Sequence, residues 1–84
     1  MTVARAELTD ALAEHLGVPP LTPTEVEAIL ILAAAAAHGT GDRTSAPLAS
    51  FLAGVTAATS PDRAATLDDI RQRVTELAPE AQTG

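Results

Sequence analysis

Twelve consecutive positions, Val26 to Ala37, read Val-Glu-Ala-Ile-Leu-Ile-Leu-Ala-Ala-Ala-Ala-Ala, and Glu27 is the single polar residue among them. In a chain of 84 residues, so apolar a run has to be an inner element around which the others pack. Its edges mark it as a helix. Thr22-Pro23-Thr24-Glu25 puts a hydroxyl at the N-cap and a glutamate at the third helical position, the arrangement of a capping box. Proline falls at the first helical position, where its missing N–H costs nothing. Glu25 and Glu27 also sit where the helix dipole favours negative charge. His38 closes the run, and Gly39 suits the left-handed position after a helix end. A helix over about 23–38 follows. Spanning a bilayer takes roughly 20 apolar residues, so this shorter run reads as a buried core helix. Alanine joins the best helix propensity to a small side chain, so neighbouring helices are expected to crowd against Ala33 to Ala37.

Three more helices are legible around it. Residues 2–16 carry Leu8, Leu12 and Leu16 at i, i+4 and i+8, with Ala11 and His15 beside them. Thr2 is the expected N-cap, and Glu7, Asp10 and Glu14 are expected to face solvent. Gly17 ends this helix. Val18-Pro19-Pro20-Leu21 is extended, because a residue before proline avoids the helical region, and Val18 and Leu21 are expected to tuck into the core. Beyond the polar loop Gly39–Ser45, Leu48, Phe51, Leu52, Val55 and Ala58 define the apolar face of a helix over about 46–58. Thr44 or Ser45 would cap it, with Pro47 in its first turn. Gly54 costs that helix about 1 kcal/mol against alanine, and close approach to the alanine face of the second helix is the expected compensation. Ser60-Pro61-Asp62 opens a fourth helix, about 61–78, with Leu67, Ile70, Val74 and Leu77 on one face. Pro79 stops it. No alternating strand pattern occurs. The expected fold is all-α: a compact bundle of four helices around a central alanine-rich second helix, one domain over 1–79, with 80–84 as a disordered tail.

Composition bounds what such a bundle can do. Hydrophobic residues make up 46% of the chain, but alanine supplies 19 of the 39. The core is therefore thin, and the chain would gain stability from a partner; homodimerisation is one expected form of that gain. No cysteine is present, which removes disulfides and thiolate zinc sites. The opening Met-Thr-Val-Ala-Arg-Ala-Glu has no apolar signal-peptide core, so a cytoplasmic setting is expected. The net charge is −6, with five arginines and no lysine. Without clustered cations, neither nucleic acid nor an anionic membrane is an expected partner.

A search for chemistry returns little. Ser45, Ser50 and Ser60 read as two caps and a helix-surface position, with no base arranged beside any of them. His15 and His38 lie on different helices and belong to no metal-ligand spacing. Asp68 and Asp69 point to different faces and read as solvated surface. Acidic four-helix carrier proteins attach their group at Asp-Ser-Leu, which is missing here. No catalytic residue, metal or cofactor is expected, and the chain does not read as an enzyme. One stretch could hold an anion: Gly39-Thr-Gly-Asp-Arg43-Thr-Ser45-Ala-Pro47 joins two glycines, a cation and hydroxyls to a helix start. The same residues also make an ordinary helix–helix loop. A small anion- or nucleotide-binding module is therefore the alternative function.

The segment from Ala37 to Gly54, with Ala37-His38, a short loop carrying Arg43, Ala46-Pro47 and a helix running through Leu52 to Gly54, resembles a family of small actinobacterial domains of unknown function. These occur alone or fused to the C-terminal end of molybdenum-cofactor guanylyltransferases. The leucine-rich first helix, the Leu-Gly-Val break and the alanine-rich second helix extend the likeness over most of the chain. The resemblance implies an accessory or protein-interaction role near molybdenum-cofactor handling, with such a guanylyltransferase as the partner, and implies no activity. His38, Arg43, Ser45 and Pro47 form the candidate binding surface.

Overall fold

The computed structural model describes residues 2–79; Met1 and residues 80–84, where the tail is expected, lie outside the described residues. Four helices form: α1 (Arg5–Leu16), α2 (Pro23–Thr40), α3 (Ser45–Ala57) and α4 (Arg63–Leu77). The fold is an all-α bundle, and no strand occurs among the described residues. α2 is central, packing on α4 and α3, which also touch each other.

The helix ends follow from local chemistry. The capping box of α2 is present: Thr22 Oγ1 accepts from the Glu25 N–H (3.2 Å), and Glu25 Oε1 accepts from the Thr22 N–H (2.8 Å). Its other end departs from expectation. The helix runs through Gly39 to Thr40, and Gly41 takes the left-handed conformation at φ 71°. Gly39 has a different reason to be glycine. It lies against the backbone of Ala78 at the end of α4, and a Cβ there would overlap the Ala78 carbonyl. α1 starts at Arg5, with Ala4 at the N-cap making no side-chain cap bond; Thr2 precedes the helix. α1 closes with a Schellman pair: the Gly17 N–H donates to Glu14 O and the Val18 N–H to Ala13 O. α4 begins at Arg63 rather than residue 61. Asp62 is its cap and accepts from the Ala65 N–H (3.1 Å), while the Ser60 hydroxyl bonds Thr66 and fixes the turn before it.

The interior is built from small side chains. Ala28, Leu32, Ala53, Ala57 and Leu67 form the buried cluster, with Ile29, Ala49 and Ile70 packed against it. Leu32 is 0% exposed and sits at its centre. The buried stripe of α2 is Glu25, Ala28, Leu32 and Ala36. The expectation of burial all round fails on the far side, where Leu30 and Ile31 are exposed.

Two helices turn their large residues away from this core. α3 buries Ala53 and Ala57 and exposes Leu48, Phe51, Leu52 and Val55. The sequence pattern placed those four inside. α3 carries two apolar stripes half a turn apart, and the alanine stripe is the one that fits the narrow space beside α2. Gly54 has nothing within 4 Å of where a Cβ would stand, so close approach to another helix does not explain it. α1 departs further. No α1 residue comes within 8 Å (Cα–Cα) of another helix. Leu8, Leu12 and Leu16 are exposed, and only Ala13 is buried, beside the connector residues Val18, Pro20 and Leu21. Val18 and Leu21 are themselves exposed rather than seated in the core. In α4, Leu67 is buried as expected, while Leu77 at the helix end is exposed. The result is a slab of 45 × 37 × 18 Å with a radius of gyration of 13.8 Å, against about 12 Å for a fully compact chain of this length.

The two glycines inside helices should respond in opposite ways. Gly39→Ala forces α2 and the end of α4 apart, at a cost of about 1–3 kcal/mol. Gly54→Ala meets open space and gains about 1 kcal/mol in helix propensity. Thermal unfolding of dilute protein followed by circular dichroism checks both. A Gly39→Ala variant as stable as the parent would contradict the Ala78 contact.

Candidate functional site

The strongest polar feature is a buried carboxylate. Glu25 is 3% exposed and sits at the third position of α2. Arg63, the first residue of α4, meets it side-on: Nη2 donates to Oε1 (2.8 Å) and Nε donates to Oε2. Arg63 Nη2 also donates to the Pro20 carbonyl (3.2 Å). Glu25 therefore does three jobs: it caps α2 through Thr22, ties α2 to α4, and through Arg63 fixes the diproline connector. The Arg63 hydrogen bonds draw the Glu25 pKa down to about 2, with the Thr22 N–H adding to the effect and burial opposing it. The same contact raises the pKa of Arg63. A carboxylate this firmly ionised and this fully bonded is a structural clamp, not a proton acceptor.

The sequence-derived surface lies elsewhere, at the corner between α2 and α3. His38 is exposed in the last turn of α2, Arg43 is exposed in the loop, and Pro47 is exposed in the first turn of α3. Ser45 is half-buried, its hydroxyl 2.8 Å from Thr40 Oγ1. The loop bonds mainly to itself. Thr40 Oγ1 donates to the Ala36 carbonyl (2.8 Å), and Asp42 Oδ1 accepts from both the N–H (2.9 Å) and the hydroxyl (2.6 Å) of Thr44. The Thr44 hydroxyl holds the Asp42 carboxyl below its usual range, and the Thr44 N–H adds to this. The first amides of α3 donate to the Asp42 and Arg43 carbonyls. Asp42 thus takes the donors that an incoming anion would need.

Two apolar surfaces lie away from this corner. Between α1 and α2 lies an open groove of about 870 Å³, with Ala6 and Thr9 on one wall and Val26, Ile29, Leu30 and Ala34 on the other. Arg5, Asp10 and Glu27 add the charged groups of its lining. The second surface is the outer face of α3, with Phe51, the only aromatic residue in the chain, 71% exposed. Sequence reasoning missed both surfaces because it assigned their residues to the core. It also passed over Arg63, whose only local signal was its place just after an N-cap. Among the described residues, no group of three or more His, Cys, Asp or Glu side chains could hold a metal ion. No helix among them is long and apolar enough to cross a membrane.

A helical bundle with bare apolar faces and a carboxylate engaged in structure is, by architecture, a small all-α domain. The chain is a member of the family described as domain of unknown function DUF6457, whose model matches residues 2–84. No curated protein and no solved structure matches it.

The clamp predicts a pH dependence. Glu25 has a lower pKa in the folded protein than its ordinary 4.5. Its contribution is present in full above pH 4.5 and is lost as pH falls from 4.5 toward 2. Glu25→Gln leaves Arg63 without its counter-charge and should cost about 2–3 kcal/mol at pH 7, somewhat less than for a fully enclosed pair. The variant should also lose part of the acid sensitivity between pH 4.5 and 2. Melting curves over that range check it; parallel pH profiles for both proteins would rule the clamp out.

Proposed function

We propose that the chain is a non-enzymatic protein-interaction domain that takes an amphipathic helix of a partner protein into the groove between α1 and α2. One observation carries this reading: α1 stands off the bundle and leaves an open groove whose α2 wall is apolar, with Val26, Ile29, Leu30, Ile31 and Ala34 facing Ala6 and Thr9 of α1. Helix-in-groove recognition needs such a cleft, with the ligand's apolar residues spaced at i, i+3, i+4 and i+7. Two carboxylates, Asp10 and Glu27, against one cation, Arg5, in the lining, within a chain of net charge −6, favour a partner helix with basic flanks. The likeness of residues 37–54 to domains attached to molybdenum-cofactor guanylyltransferases makes such an enzyme the first partner to test, in the cytoplasm. The corner of His38, Arg43, Ser45 and Pro47 lies beyond Ala34, the last α2 residue lining the groove. The small-anion alternative at Gly39–Ser45 draws no support from the loop's hydrogen bonds, which Asp42 already engages.

The test is binding of the intact chain to the guanylyltransferase by calorimetry. Leu30→Glu places a charge in the groove wall, away from the buried cluster, and should weaken association at least tenfold, or about 1.4 kcal/mol. Arg43→Glu should leave it nearly unchanged. Strong binding by Leu30→Glu together with loss on Arg43→Glu would move the contact surface to the corner and overturn the groove reading.

A further inference from the structure

The outer face of α3 calls for a different occupant. Successive residues of a helix are about 100° apart, so Leu48, Phe51, Leu52 and Val55 share one face, opposite the buried Ala53 and Ala57. We propose that a second copy of this chain seats on this face, forming a two-fold dimer in which Phe51 of each copy lies over Gly54 of the other.

Three observations point to a second copy. The first is charge. The chain carries net charge −6, yet no Asp, Glu, Lys or Arg occurs from Thr44 to Pro61. Two copies repel through most of their surfaces but can meet on α3 without opposing like charges. The second is shape. Gly54 is exposed, has open space where its Cβ would stand, and has no role inside the chain. A mid-helix glycine allows close approach by another surface. Phe51 lies one turn away and is the chain's only aromatic residue. Gly54 lies about 60° around the helix from Phe51, at the flank of the apolar face, so a knob and an adjoining hole can complement themselves about a two-fold axis, as an isologous contact requires. The third is area. Leu48, Phe51, Leu52 and Val55 are 56–71% exposed. At about 100 Å² each they make a patch of roughly 400 Å², within the range of the largest apolar patch on a monomer, which is often functional. Two such patches with their rims bury about 800–1,000 Å², below the standard interface size, so a dimer of about micromolar affinity is expected.

This inference does not rest on the groove reading, because the two surfaces lie on different helices. The experiment is sedimentation equilibrium of the intact chain from low to high micromolar concentration, with three variants and circular dichroism as the check on folding. The wild type should pass from the 8.5 kDa monomer to a species of twice that mass. Phe51→Glu should remain monomeric, with an unchanged helical spectrum. Gly54→Ala should melt higher than the parent when dilute, yet dimerise at least tenfold more weakly. Leu30→Glu, in the groove, should dimerise like the wild type. A wild type that stays monomeric throughout would overturn the proposal, as would full dimerisation of both Phe51→Glu and Gly54→Ala. Loss of the dimer in Leu30→Glu alone would transfer the self-contact to the groove and also overturn it.

Discussion

Alanine spacing governs this fold. The faces that α2 and α3 turn toward each other and toward α4 carry Ala28, Ala36, Ala53 and Ala57, with Leu32 and Leu67 filling the middle. Small residues let helix backbones approach closely, and close approach leaves little volume for anything larger. The exposed surface follows from that constraint. A helix with one small stripe and one large stripe has to choose, and α3 puts its small stripe inside. Among the described large aliphatic and aromatic side chains, only Leu32 and Leu67 are buried. The molecule closes its core with alanine and keeps its bulk for the outside.

Electrostatics acts at the opposite edge. A buried ion pair is a weak source of net stability, but its geometry ties together the elements that carry it. Glu25 and Arg63 do this where α2, α4 and the Pro19–Pro20 connector meet. The connector is stiff because proline restricts its own backbone and the residue before it. Tying its carbonyl to Arg63 leaves α1 leaning away from α2, with a groove between them. A hairpin of two helices would ordinarily bury Leu8, Leu12 and Leu16 against Leu30 and Ile31. Here both sets are exposed.

Elements with local causes are legible in the sequence; which face of a helix turns inward is not. The capping box at Thr22, the stop at Gly17 and the first-turn proline at Pro47 are short-range patterns, and the structure has them. The Gly39 stop was misplaced by two residues, because Gly39 answers to Ala78, thirty-nine positions away in sequence, while Gly41 takes the left-handed turn. Periodicity located α3 but ranked its faces by hydrophobicity, and packing ranked them by volume. Arg63 was invisible for a related reason: its partner Glu25 was already explained by the cap it makes. Of the site, the corner at His38–Pro47 was legible as a motif. The groove and the α3 face were not, because the residues that make them look like core.

The central claim is the inversion of burial, and side-chain solvent labelling reads it directly. Hydroxyl-radical footprinting of dilute protein, resolved by residue, should show Leu48, Phe51 and Leu52 oxidised at rates typical of open surface while Leu32 and Leu67 stay protected. Leu8, Leu12 and Leu16 should follow the exposed group. Protection of Phe51 and Leu52 equal to that of Leu32 would mean that α3 packs its large face inward, and the account of this fold would be wrong.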